Sequence, residues 1–360
     1  MAFTREEKLS KSKKRTNTSL ILRYINTKRP LQTRPFGVYR SIMSKLKAYI
    51  FPGQGSQYVG MCLDLAKEFY YVKEILLEAD EILKYPLSKI MEQGPAEILD
   101  DTEKTQPAIF IHSIVALKII EKEFPSLRAD YMAGHSLGEI SALTASKVFS
   151  FKQGLELVRM RGKLMKKAGE LSSGGMAAII GLELDEIKNI CIQSSNNNSA
   201  VQIANDNCPG QTVISGGIGA LENAMEIAKD RGAKIVKKLA VSIAAHSILM
   251  EPIENEFFEI VDGIKTMKSP TIPVISNVTG KPLNTIDEIK TDLVRQLSSP
   301  VLWTSSIKYI LEQGCFHFFE IGPNKVLAGL NKRIDRNIEC LNIGKVDDIP
   351  TIMQTIEVSN

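Results

Sequence analysis

Strand-like and helix-like segments alternate along this chain, and the alternation is broken once, between residues 175 and 241. That break limits the available folds more than any other feature. Before it, LKAYIFPGQG reads as a short buried strand running into a Gly-rich loop. Helical segments follow at 61–71, 73–83 and 106–123, then a second strand, DYMAG (130–134), and a helix, GEISALTASKVF. After the break come TIPVISN, a helix over 286–297, CFHFFEIG and a helix from Asn324. Strand–helix alternation predicts an α/β domain with a largely parallel sheet. The break itself reads β-α-β-β-α-β: GMAAIIGL, LDEIKNICIQSS, NSAVQIAND, GQTVISGG, ALENAMEIAKDRG and AKIVKKLAV, with the turn signal NCPG between the middle strands. This is the order of a ferredoxin-like unit. The expectation is a host domain of residues 47–170 and 242–360 interrupted by an insert at 171–241.

Charge separates a further segment. Residues 1–46 hold 12 Lys/Arg against 2 Asp/Glu, whereas the remainder holds 33 against 39. The segment is rich in Ser and Thr, and its one apolar run, SLILRYI, is short and broken by Arg23. That composition fits an organelle transit peptide better than a secretory signal. A mildly acidic remainder argues against nucleic-acid binding by bulk charge. No apolar run approaches the roughly 18 residues of a membrane span, so no membrane association is expected. Cys62, Cys191, Cys208, Cys315 and Cys340 show no paired or metal-binding spacing, and free thiols are expected.

The stretch MAGHSLGEI (132–140) carries G-x-S-x-G between a strand and a helix. A nucleophile elbow needs that context, with glycines where the turn brings backbone segments together. The motif alone arises by chance in roughly one chain in ten of this length, so a plain turn is the competing reading of Ser136. A serine nucleophile also needs a base. His135 adjoins Ser136 and points away across the turn. His112 and His317 lie in apolar segments that read as core. His246, where the chain returns from the insert, is the base by elimination. No acidic residue stands out as a third triad member.

The loop FPGQGSQYVGM (51–61) departs from the dinucleotide-binding glycine spacing and lacks G-K-[ST]. It suits the donation of a backbone N–H to an oxyanion, alongside the N–H of Leu137. In the helix ELVRMRGKLMKKAG (156–169), Arg159, Lys163, Lys166 and Lys167 share one face. Arg161 falls among Leu157, Met160, Leu164 and Met165. A cation on an apolar face is costly unless paired. Its partner is either an internal carboxylate or one on a substrate.

Eight motifs in order, FPGQGSQ, TQPAIF, GHSLGEISAL, MRGK, MAAIIGL, SNVTG, LVRQLSSPVLWT and EIGPNKVL, resemble the malonyl-CoA:acyl carrier protein transacylases over about residues 47–345. The resemblance implies an α/β-hydrolase-like domain with a ferredoxin-like insert. It implies Ser136 as the acylated nucleophile and His246 as its base. Arg161 becomes the ligand of the malonyl carboxylate, and Gln54 and Leu137 the backbone donors of the oxyanion hole. Gln296 becomes the residue whose main-chain carbonyl holds the histidine in place of a carboxylate. The implied partners are malonyl-CoA and holo acyl carrier protein, with no metal or redox cofactor. Ala244 and Ala245 replace the Ser, Phe or Pro of many relatives before the histidine, which implies a looser acyl pocket. The stripe Arg159, Lys163, Lys166, Lys167 is a candidate surface for an acidic carrier protein. A monomer is expected, in a plastid or apicoplast first and a mitochondrion second. Two rivals are a serine esterase or thioesterase, which needs no Arg161, and a non-catalytic carrier-binding module.

Overall fold

A computed structural model describes residues 46–241 and 243–357; the expected transit peptide, at 1–46, therefore lies almost entirely outside the described residues. The strands are β1 (Lys47–Phe51), β2 (Tyr131–Gly134), β3 (Gly174–Ile180), β4 (Val201–Cys208), β5 (Gln211–Gly217), β6 (Ile235–Lys238), β7 (Val274–Ile275), β8 (Pro282–Leu283), β9 (His317–Ile321) and β10 (Glu339–Ile343). They form two sheets, ordered β10-β9-β1-β2-β7-β8 and β4-β5-β3-β6.

The first sheet is parallel from β10 to β7, and only the β7–β8 hairpin runs antiparallel. Every residue of β1 and β9 is buried, as befits strands covered on both faces by helices. The helix Gly138–Ala145, which follows β2 and packs against β1 and β2, is buried along its whole length. The second sheet is antiparallel, and its helices Leu184–Ser194 and Ile218–Asp230 pack against it over a separate apolar core that includes Ile179, Ile190 and Leu221. Its order is that of a ferredoxin-like unit. The fold is thus the expected α/β class with a small antiparallel sheet inserted.

Three local expectations change. The helix expected over 106–123 spans Thr102–Glu123, because Asp101 accepts from the Glu103 N–H and caps it earlier, leaving Pro107 inside. The strand in TIPVISN shrinks to Val274–Ile275. Strand β10 was not foreseen: it is a half-buried edge strand, so ECLNI shows no clean alternation.

The two sheets are stitched together along β4. Asp206 N–H donates to Val301 O at 3.0 Å, and Val301 N–H donates back to Ala204 O at 2.8 Å. Thr304 Oγ1 adds a bond to the Asp206 carboxylate at 2.8 Å. The insert therefore docks by backbone pairing as well as by side-chain packing.

Candidate active site

The loops leaving β1, β2 and β7 converge at the carboxyl ends of the parallel strands, where open α/β sheets place their ligands. Ser136 stands at the first turn beyond β2, with φ 53°. A non-glycine residue rarely adopts that left-handed conformation. The flanking glycines explain how it is enforced. A Cβ on Gly134 would lie 1.9 Å from the Gly138 carbonyl, and one on Gly138 would lie 2.2 Å from Phe51 O. Asn277, at the end of β7, clamps both sides of the turn: its Oδ1 accepts from Ser136 N–H at 2.7 Å, and its Nδ2 donates to Gly134 O at 2.6 Å.

His246 also has a left-handed backbone, φ 59°, and is buried. Ser136 Oγ–H donates to its Nε2 at 2.8 Å, and its Nδ1–H donates to the main-chain carbonyl of Gln296 at 2.8 Å. A carbonyl only accepts, so the proton of the neutral ring lies on Nδ1 and Nε2 is free to take one. Burial, and then the Arg161 charge, push the His246 pKa down to about 3. The ring is therefore neutral through the physiological range.

Arg161 is buried at 2% exposure and is held by neutral oxygens. It donates to Gln106 Oε1 at 2.9 Å, to Gln296 Oε1 at 2.8 Å and to Ser136 Oγ at 3.0 Å. No carboxylate among the described residues forms an ion pair with it. Burial lowers its pKa to about 10, which leaves it cationic at neutral pH. Its nearest counter-charge acts through an amide: Gln296 Nε2 donates to Ser136 O and to Glu139 Oε2.

Glu139 is fully buried and accepts from Asn277 N–H at 3.1 Å. Burial, and then the adjacent Asp292, raise it well above the ordinary carboxylate range; burial raises Asp292 as well.

Gln54 and Leu137 line the same cleft of about 240 Å³ as Ser136, Arg161 and His246. Gln54 Oε1 accepts from Thr102 Oγ1 at 3.0 Å, which fixes its loop. Neither the Gln54 nor the Leu137 amide N–H has a protein acceptor among the described residues. The insert contributes both apolar and polar side chains to the cleft, Met176, Val213, Leu239 and Val241 beside Asn205, Asn207 and Gln211. Ala245 lines the cleft, whereas Ala244 is buried against Gly174.

Five of the residues singled out in the sequence thus line one crevice, and the sixth, Gln296, lies behind it, bonded to His246 and Arg161. His135 does not simply point away: its Nε2–H donates to Asn207 Oδ1 on β4, at 2.8 Å. His112 and His317 are buried, and His112 bonds Gly344 O. The basic stripe is partly neutralised, since Lys166 pairs with Asp101 and Lys167 with Glu256. Sequence reasoning passed over Gln106, Glu139 and Asn277 as individuals. All three lie inside motifs already picked out, TQPAIF, GHSLGEISAL and SNVTG, and a polar residue amid buried apolar neighbours was the available signal.

Residues 48–347 match the family of the acyl transferase domain. The malonyl CoA-acyl carrier protein transacylase of Haemophilus influenzae is 42% identical over 299 residues, covering 83% of this chain and 95% of its own length. The solved structure of the malonyl CoA-acyl carrier protein transacylase of Coxiella burnetii superposes with a TM-score of 0.83 at 39% identity, over 86% of this chain and 98% of the other. A malonyl-transacylase solved in complex with its type II PKS acyl-carrier protein gives 0.82 at 39%, over 86% and 99%. A glycine-locked serine, a histidine held by a carbonyl and a buried arginine facing both are thus set in a fold shared along nearly its whole length with those enzymes, and the chain belongs to the acyl transferase family.

Proposed function

We propose that this protein transfers the malonyl group of malonyl-CoA to the phosphopantetheine thiol of acyl carrier protein, through a malonyl ester on Ser136. The observation that carries this reading is Arg161: a buried guanidinium without a carboxylate partner among the described residues, 3.0 Å from the serine oxygen. A buried cation of this kind favours an acyl group that brings its own carboxylate, because a neutral acyl group leaves the charge unpaired. The names of the relatives agree with that substrate and partner.

The free site is poised but restrained. Ser136 Oγ accepts from Arg161 while donating to His246, and burial, with the Arg161 charge added to it, makes His246 a poor base. The malonyl carboxylate draws the guanidinium to itself and offsets its charge, so His246 becomes more basic when the correct substrate is bound. His246 Nε2 takes the Ser136 proton as Oγ attacks the thioester carbonyl. The oxyanion accepts from the Gln54 and Leu137 amides. The tetrahedral intermediate expels CoA sulfur, which receives the proton from His246. The carrier thiol then gives its proton to His246 and attacks the ester carbonyl, and Ser136 Oγ leaves with that proton. Atoms balance as a thioester exchange, and no metal or redox group enters. The basic, Ser/Thr-rich residues 1–46 support an organellar location, plastid or apicoplast before mitochondrion.

The test is intact-protein mass after brief mixing with malonyl-CoA, and again after adding holo carrier protein. A malonyl adduct on Ser136 that disappears as malonyl-carrier protein forms is the expected result. Free malonate with no carrier product would make the protein a hydrolase, and no adduct with no turnover would leave a binding module.

A further inference from the structure

His246 needs external anchors, because a buried non-glycine residue at φ 59° costs about 1–2 kcal/mol and does not hold that conformation unaided. Two anchors come from the turn after the helix Ile286–Arg295. His246 N–H donates to Leu297 O at 2.9 Å, and the ring Nδ1–H donates to Gln296 O. The third comes from the insert. Gln202, on β4, donates from Nε2 to His246 O at 3.2 Å and to Ser298 O at 3.0 Å, and its Oε1 accepts from Ile248 N–H at 3.2 Å. One amide thus ties the loop that carries the histidine to the turn that orients its ring. Gln202 itself is fixed, since β4 is paired with β5 on one edge and with Val301 on the other.

We propose that Gln202 is a positioning residue for His246, through which the ferredoxin-like insert sets the aim of the base on Ser136. It does not line the cleft, and it acts only through the backbone of residues 246–248 and 298. Its chemistry is specific: two carbonyls converge on one NH2 group while an adjacent N–H needs an acceptor, a set that only a primary amide side chain of this length meets. The ferredoxin-like insert is therefore part of the catalytic apparatus as well as one wall of the cleft. The inference rests on the proposed acyl transfer for its kinetic readout, but not for its spectroscopic one.

The experiment compares the full chain with Gln202→Met, which keeps the length and loses all three bonds, and Gln202→Glu, which keeps the acceptor and loses the donor. Expected are acylation rate constants lowered roughly 10- to 100-fold, the range for a displaced catalytic group, with KM for malonyl-CoA within about twofold. In ¹⁵N-histidine spectra the His246 Nδ1–H resonance should broaden or vanish through faster solvent exchange. Gln202→Glu should be the more impaired, since its carboxylate faces two carbonyl oxygens. Unchanged acylation with an intact Nδ1–H resonance in both variants would overturn the proposal. So would a loss confined to KM. If Gln202→Met fails to fold, Gln202→Glu and the spectrum decide alone. If the wild-type chain forms no adduct, the acyl-transfer reading fails, and the spectrum still tests the anchor.

Discussion

Ser136 and His246 face each other across 2.8 Å, each in a left-handed backbone conformation, yet the two turns are held by different means. The serine turn is locked first by sterics, with the Asn277 amide clamping it from both sides. Gly134, Gly138 and Phe51 approach so closely that no Cβ fits, and every lock residue lies within a strand or two of the serine. The histidine turn is locked by hydrogen bonds drawn from remote chain: Gln202 in the insert, and Gln296 and Leu297 in the host. A steric lock is local, absolute and written in glycines. A hydrogen-bond lock is distributed, graded and written in residues that could serve many other ends.

That contrast is open to direct attack. The largest effect is expected from Gly138→Ala, which sets a methyl 2.2 Å from Phe51 O, with backbone on both sides. Unfolding free energy should fall by more than about 4 kcal/mol, or folded protein should be lost outright, as read by urea denaturation. Near-native stability would show that the serine turn yields after all. Next comes His246→Ala, which removes the proposed base but leaves the serine lock untouched. Malonylation of Ser136 should slow by about 10²- to 10⁴-fold in quenched-flow mass measurements, while the urea midpoint shifts far less than for Gly138→Ala. Arg161→Leu should lower kcat/KM for malonyl-CoA by about 10- to 100-fold, the worth of a charge-assisted hydrogen bond, and should lower that for acetyl-CoA much less. Equal losses on both thioesters would separate Arg161 from carboxylate recognition.

The smallest effect is on pH dependence. His246 and His112 are held neutral in the fold, with pKa values near 3 and 4 respectively, mainly by burial. In the unfolded chain both titrate near 6.5. Between those values the unfolded state binds more protons, so stability should fall as pH drops from about 7 towards 4. His246→Ala should flatten that slope by one histidine's share. An unchanged slope would mean that His246 is not insulated as the hydrogen-bond lock requires.

The same contrast explains what was legible beforehand. The G-x-S-x-G turn announces itself because a steric requirement for glycine leaves little choice of residue. The two-sheet architecture was readable from the order of strand-like and helix-like segments, because the host's strand–helix alternation is broken once by β-α-β-β-α-β. Edge strand β10 was not, since half-burial at the sheet margin imposes no pattern on ECLNI. Arg161 stood out as a charge on an apolar face. Glu139, although equally buried, carried only the weaker signal of a lone acid among apolar neighbours, because its helix is buried all round and offers no polar face to contrast with it. Gln202 was invisible for a different reason: its partners are main-chain atoms at 246, 248 and 298, and main-chain atoms leave no trace in the residue types.

The register of the parallel sheet also governs the life of the nascent chain. Strand β1 lies at the centre, paired with β2 on one side and β9 on the other, from Lys47↔His317 to Ile50↔Glu320. Contacts so distant in sequence form slowly, because the intervening loop must close first. The insert, by contrast, makes all its own strand pairings within residues 174–238, and its β4–β5 hairpin joins strands adjacent in sequence. During synthesis the small antiparallel sheet is therefore the first part to acquire a core. The crevice is completed only after the insert has been made, since Val326, Leu327 and Leu330, which also line it, follow β9.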